Sequence, residues 1–304
     1  MERRRPVLVA GRAGQLARCL VDAAGRRGLS LVALGRPELD IEDADMVSRA
    51  VASVVPRAII NAAAYNAVDL AESEPERAVS VNRDGAARLA AAAGKLRIPH
   101  VYVSTDYVFD GSKPSPYAEH DPPSPLGVYG RSKVAGENAV RDACPGAVVL
   151  RTSWLYSRYG ENFVKTMLRL AEVREVVRVV DDQRGAPTTA GDLASAILDL
   201  TERMIATAGD SHAGTYHLTA AGETTWHGFA VAIFAGWQRR GQRVPKLEAI
   251  TTADYPTLAR RPANSRLDCG RIERAFGIRL APWATSLEIC LDELLAVRVA
   301  APSC

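Results

Sequence analysis

Val7-Leu-Val-Ala-Gly11-Arg-Ala-Gly14-Gln-Leu-Ala17 decides how this chain folds. Four consecutive apolar residues read as a strand buried on both faces, and the helical pattern that follows begins directly after a glycine-spaced turn. Gly11 and Gly14 allow the backbone to turn tightly and to approach a pyrophosphate, whose charge then sits at the positive end of the helix. Ala17 is small enough for the helix to pack on the strand. Spaced glycines alone are weak evidence; their place after the first strand is what gives them meaning.

Working outward, the same rhythm repeats. Apolar runs at 7–10, 31–34, 58–61, 100–104 and 147–151 alternate with helical patterns at 15–27, 44–54, 75–96 and 130–143. That is the signature of a parallel sheet covered by helices. The expected fold class is α/β, a Rossmann-type doubly wound parallel sheet with a smaller C-terminal substrate-binding lobe. Residues 1–150 form the dinucleotide-binding domain in this reading, with returns over about 176–235. Residues 151–175 and 236–304 form the lobe, with helices expected at 162–173, 192–205, 225–240 and 284–297, the last amphipathic, and a strand at 176–180.

Composition narrows the function. The 304 residues are 47 % apolar and 24 % charged, which excludes wholesale disorder, a collagen-like repeat and a coiled-coil rod. A net charge of +3, from 38 basic and 35 acidic residues, argues against nucleic-acid or membrane-surface binding. Only five of the basic residues are lysine. Cys19, Cys144, Cys269, Cys290 and Cys304 are far apart and lack a C-x-x-C pair, so neither a disulfide framework nor a zinc site is expected. The basic opening, MERRRP, is followed by too short an apolar run for export, and no run is long enough to span a membrane. The expected location is cytoplasmic.

Two further stretches carry chemistry. Tyr129-Gly-Arg-Ser-Lys133 puts a phenol and an ammonium one turn apart on one helix face, an arrangement expected to favour the phenolate and draw the tyrosine toward working pH. Upstream, Val101-Tyr-Val-Ser-Thr105-Asp106 ends a strand in hydroxyls at the sheet edge where open α/β folds bind ligands. Thr105 can there hold a substrate oxygen while Tyr129 moves its proton. Residues 111–128, with five prolines, read as a long functional loop between these motifs. At the second strand's end, Leu34 is followed by Gly35-Arg36 rather than by an acid. Arg36 suits a 2′-phosphate, so NADPH is favoured and NADH is the alternative. Asp40, in Leu39-Asp40-Ile41, is placed either for the adenine amino group or as a turn residue.

These motifs together resemble the extended short-chain dehydrogenase/reductases, in particular members that reduce the 4-keto group of a nucleotide-linked deoxysugar. The likeness spans nearly the whole chain. It is carried by GRAGQLA (11–17), NAAAYNAVDLAESEPE (61–76), VN (81–82), STDYVFDG (104–111), YGRSK (129–133), RTSWLY (151–156), NFVKTMLRLA (162–171), VVDDQRGAPT (179–188) and RPANSRLD (261–268). The resemblance implies Tyr129 as proton donor, Lys133 as its tuner and a ribose ligand, and Thr105 as polariser of the keto oxygen. It further implies Gly14, Gln15, Leu16, Asp40, Ile41, Ala62, Ala63 and Ala64 beside the cofactor. Asp106 and Trp154 would line the sugar pocket, with Asn162, Lys165 and Arg266 at the nucleotide or diphosphate. Some members dimerise around magnesium held by glutamates. Here Cys19 and Asp192 stand at two such places, with Glu293 at a third, so no metal is expected and a homodimer is left open. Two alternatives stay in view: another nucleotide-sugar reductase or epimerase, and a non-catalytic regulatory subunit like the β subunit of methionine adenosyltransferase. The latter has an altered strand-end Thr-Asp, which this chain keeps.

Overall fold

The computed structural model describes residues 5–207 and 212–300. Six strands, β1 (Val7–Ala10), β2 (Leu31–Leu34), β3 (Ala58–Asn61), β4 (His100–Thr105), β5 (Val148–Thr152) and β6 (Gly214–His217), form one sheet in the order β6-β5-β4-β3-β1-β2. Every pairing in it is parallel. In-register partners such as Ala10 with Asn61 and Thr105 with Thr152 bring the carboxyl ends of four strands to one edge.

The continuous apolarity of these strands follows from burial on both faces. Val7 and Val9 pack with helices α1 (Gln15–Arg26) and α6 (Ala190–Ala206), while Leu8 and Ala10 face α2 (Ala44–Val54), α3 (Ala86–Leu96) and α4 (Val128–Ala143). The chain reverses direction across the sheet between β1 and β3, and that reversal opens the crevice where such folds hold ligands. Strand β6 is absent from the sequence reading because Gly-Thr-Tyr-His presents no apolar run. The helix expected over 75–96 is broken into Pro75–Val79, a π-helical turn Ser80–Gly85, and α3. The turn lets α4 close in: a Cβ on Gly136 would meet the Asn82 carbonyl at 2.0 Å.

A separate apolar cluster joins Tyr156, α5 (Phe163–Val173), α7 (Trp226–Arg239) and α8 (Trp283–Ala300). On α8 the buried Leu287, Cys290 and Leu291 repeat at helical spacing and form one apolar stripe, with the buried Ser286 beside it bonded to Asp192. Val176–Val180 alternates exposed and buried residues and pairs with Lys246–Ile250, not with the central sheet. Within the expected return over 176–235, therefore, α6 and β6 rejoin the sheet, whereas Val176–Val180 and α7 pack with the second cluster. Residues 111–127 are irregular apart from local turns and an isolated bridge of Tyr117 to Leu267, Val128 already opening α4, and Tyr117 anchors them by stacking on Phe109 with ring centroids 4.1 Å apart. Among the described residues no helix is long and apolar enough to cross a membrane, and no disulfide is formed. Residues 1–4 of the basic opening and Cys304 lie outside the described residues.

Candidate active site

The glycine turn and the end of β3 are in direct contact. Gly11 has φ +104°, and a Cβ there would lie 2.8 Å from the Ala63 nitrogen. Helix α1 starts at Gly14 with no side-chain cap and no acid in its first turn, so its leading N–H groups are open to an anion. Ala62, Ala63 and Ala64 follow β3, the first two half-buried and the last exposed. This glycine-made cradle, with an uncapped helix N-terminus behind it, fits a dinucleotide diphosphate. Gln15 ties the turn to the segment after β5, donating to the Leu155 carbonyl at 3.2 Å and accepting from Ser157 at 3.0 Å. Leu16 is 5 % exposed and Ile41 6 %, the latter wedged against Gly85. Both side chains serve the core, leaving only their backbones to a ligand. Arg36 is exposed, and its carbonyl accepts from Arg12, which is paired to Glu38 at 2.9 Å. Asp40 accepts from the Glu42 N–H at 3.0 Å, the turn role of its two readings.

Thr105, Tyr129 and Lys133 converge at the end of β4. Glu72 accepts from the Val128 N–H at 2.7 Å and so fixes the start of α4, on whose first turn Tyr129 stands. The Tyr129 hydroxyl is hydrogen-bonded to Thr105. Burial pushes this phenol up to about 12, against the opposing Thr105 bond. Lys133 donates to the Val103 carbonyl at 2.7 Å and lies 4.0 Å from the Tyr102 ring centroid. Burial pulls its amine down to about 7, opposed by the Glu137 carboxylate. The sequence reading has the ammonium making the phenol acidic. The structure corrects this: desolvation dominates at Tyr129, and Lys133 is engaged by a carbonyl and a ring. Tyr129 is therefore held as the neutral phenol, the form that can give a proton.

Asp106 is 2 % exposed and accepts from the Thr105 hydroxyl at 2.9 Å. Burial raises its carboxyl to about 7, with hydrogen bonds from Ser265 and Thr105 opposing. Its Oδ2 has no partner, and a buried unpaired acceptor beside reacting hydroxyls fits a polar ligand. Trp154 has φ +46°, a strained value for a bulky residue of the kind found at ligand clamps. Its indole fills the space beside Gly185, where a Cβ would meet it at 2.5 Å, and stacks on Trp226 with centroids 3.6 Å apart. Trp226 was not legible in advance, since it stands in no spaced motif.

The remaining expected ligands are engaged elsewhere. Asn162 caps α5, accepting from the Lys165 N–H at 3.2 Å and donating to the Ser157 carbonyl at 2.7 Å. Lys165 donates to the Gly160 carbonyl at 2.6 Å. Arg266 bonds Asn264 at 2.8 Å and Glu223 at 2.7 Å. It lines a cavity of about 400 Å³ to which Thr105, Asp106, Tyr129 and Trp154 do not contribute. The reason is local: in extended chain neighbours point to opposite sides, so Ser265 turns to the Arg184 carbonyl, to which it donates at 3.3 Å, and Arg266 turns away. Cys19, Asp192 and Glu293 line a separate cavity of about 160 Å³, where Asp192 accepts from Ser286. No cluster of three or more potential metal ligands occurs among the described residues.

A glycine cradle at the sheet's reversal point, a Tyr-Lys pair one helical turn apart and a strand-end threonine define a dinucleotide-dependent oxidoreductase of the short-chain dehydrogenase/reductase type. More narrowly, the chain belongs to the RmlD substrate binding domain family, whose model matches residues 4–296. It is 48 % identical over 278 residues to a dTDP-4-dehydrorhamnose reductase of Sinorhizobium fredii, covering 91 % of this chain and 94 % of the relative. Identity is 47 % to the same-named protein of Aggregatibacter actinomycetemcomitans, covering 93 % and 97 %. The crystal structure of the Bacillus anthracis dTDP-4-dehydrorhamnose reductase in complex with NADP superposes with a TM-score of 0.87 at 34 % identity, covering 95 % and 99 %. A Thermus thermophilus UDP-glucose 4-epimerase, at 19 % identity and a TM-score of 0.80 over 97 % and 100 %, shares the fold.

Proposed function

We propose that this chain reduces the 4-keto group of dTDP-4-dehydro-6-deoxy-L-mannose to give dTDP-L-rhamnose, with NADPH as the favoured reductant and NADH as the alternative. The observation that carries the reading is the gathering of Thr105, Tyr129 and Lys133 at the edge where the glycine turn meets β3. Bound there, the reduced nicotinamide supplies the hydride that C4 receives. Thr105 donates a hydrogen bond toward the keto oxygen and Tyr129 gives it a proton, so the product is the neutral alcohol. Lys133 holds positive charge beneath the phenol and stabilises the phenolate left behind. Asp106 accepts from a sugar hydroxyl through its unpaired oxygen, and Trp154, backed by Trp226, forms an apolar wall. Gly11, Gly14 and the backbone from Gln15 to Leu16 hold the diphosphate, and the backbone of Ala62 to Ala64 lies alongside. The substrate is a soluble nucleotide sugar, and the chain's widely spaced cysteines suit the reducing cytoplasm.

The test follows NADPH absorbance with freshly prepared dTDP-4-keto-6-deoxy-L-sugar, with NADH in parallel. Oxidation coupled to dTDP-L-rhamnose is the expected result. No oxidation with either cofactor overturns the proposal and favours a regulatory role, and a dTDP-sugar product other than rhamnose favours another reductase.

A further inference from the structure

Glu137 stands four residues after Lys133, one turn along the same face of α4, and is fully buried. Its carboxylate accepts from the Ser104 hydroxyl at 2.6 Å and from Arg151 at 2.8 and 2.7 Å. Ser104 directly follows Val103, whose carbonyl takes the Lys133 ammonium. Consecutive residues of β4 thus hold the acid and the amine. A buried ion pair is a weak source of stability, since well-packed apolar residues often replace it without loss. Its place one helical turn from the catalytic amine gives it another use.

We propose that Glu137 is a positioning residue whose carboxylate keeps Lys133 in the ammonium form beneath Tyr129, with Arg151 setting how much of that negative charge Lys133 feels. This rests on the reductase reading above. Tyr102 of β4, Asp106 after it, Tyr129 and Arg141 of α4, Arg151 of β5 and His217 of β6 are the other titratable or charged groups around the pair. His217, 3.4 Å from Arg151, is pulled down to about 3 by burial and then by that guanidinium, so it stays neutral through the working range. Arg141 reaches the outer side of Glu137 at 3.8 Å. Glu137 is thus the negative charge that opposes the desolvation of Lys133.

The sign of each substitution follows. Glu137→Gln removes the opposing carboxylate, so Lys133 loses its proton at lower pH, by about one unit, the lower end for a close opposite charge. Arg151→Met unmasks Glu137 and moves the midpoint to higher pH. A merely structural pair would weaken the fold in both variants and separate neither midpoint.

With only five lysines in the chain, NMR of the intact protein carrying ¹³Cε-lysine reads Lys133 directly, the signal being assigned by its loss in Lys133→Arg. The expected order of midpoints is Glu137→Gln, then parent, then Arg151→Met. Should either single variant fail to fold, Glu137→Gln combined with Arg151→Met leaves no unpaired buried charge and should titrate below the parent. A common midpoint for the parent and all folded variants, or shifts of both single variants in one direction, overturns the proposal. The alkaline limb of NADPH oxidation should follow the same order. If the midpoints separate while no variant or parent oxidises NADPH, the reductase reading fails and the coupling of Glu137 to Lys133 stands.

Discussion

The two sides of the active-site crevice are built on different principles. The cofactor side is made of backbone: Gly11 against Ala63, an uncapped α1, and a strand end without large side chains. The side proposed to take the substrate is made of side chains from several elements, with Asp106 at the end of β4 and Trp154 after β5 stacked on Trp226. A backbone site tolerates little change in conformation but asks for few residue types. A side-chain site can be retuned residue by residue without disturbing the sheet.

That contrast can be broken most sharply where the sides meet. Tyr129→Phe should lower kcat at least ~100-fold, the lower range for a positioned acid, while NADPH affinity measured by calorimetry stays at the parent value. Unchanged turnover would remove Tyr129 from the chemistry. On the backbone side, Gly11→Ala places a Cβ against Ala63 at a φ of +104°. Strain of this kind costs about 1–3 kcal/mol, so the NADPH Kd should rise by about tenfold or more, with KM for the sugar nucleotide little changed. On the side-chain side, Trp226→Ala removes the support of Trp154. An aromatic pair is worth about 0.5–1.5 kcal/mol, so KM for the sugar nucleotide should rise up to about tenfold while the NADPH Kd holds. Equal effects of these two variants on both ligands would erase the distinction.

The remaining effect is on stability. Asp106 has its carboxyl raised in the fold to about 7, chiefly by burial, from 3.8. The folded state therefore favours the protonated acid, and that contribution is present below about pH 4 and lost progressively as pH rises toward 7. Asp106→Asn cannot ionise, so its Tm relative to the parent should rise over this interval and level off above it. Lys133, lowered from 10.5 to about 7 in the fold, makes stability depend on pH above this interval, between about 7 and 10.5, and comparing the two proteins at each pH cancels it. A Tm difference independent of pH would show that Asp106 is already ionised at low cost.

Legibility in the sequence follows the same division. The first five strands and α1, α2 and α4 lie within a residue or two of their apolar runs and helical periods, because local pattern and two-sided burial specify them. Thr105, Tyr129 and Lys133 were legible because a strand end and a helical turn fix their spacing. Strand β6 was not, as its residues are apolar at only one position. That Arg266 lines a cavity apart from Thr105 and Tyr129 was not legible, because sequence does not show which face of an extended segment turns inward. For Tyr129 the nearby Lys133 is visible in the letters, but the burial that raises the phenol is not.

By itself the sequence determined the glycine turn, the alternation of strand and helix and the order in which the reacting groups occur, because each depends on residues within a few positions of one another. Tertiary structure alone decided that Trp226 backs Trp154 and that Glu137 joins Arg151. Those contacts span up to 72 positions, between Trp154 and Trp226. They depend on how the two lobes pack and on how much water that packing excludes, and no local period records either.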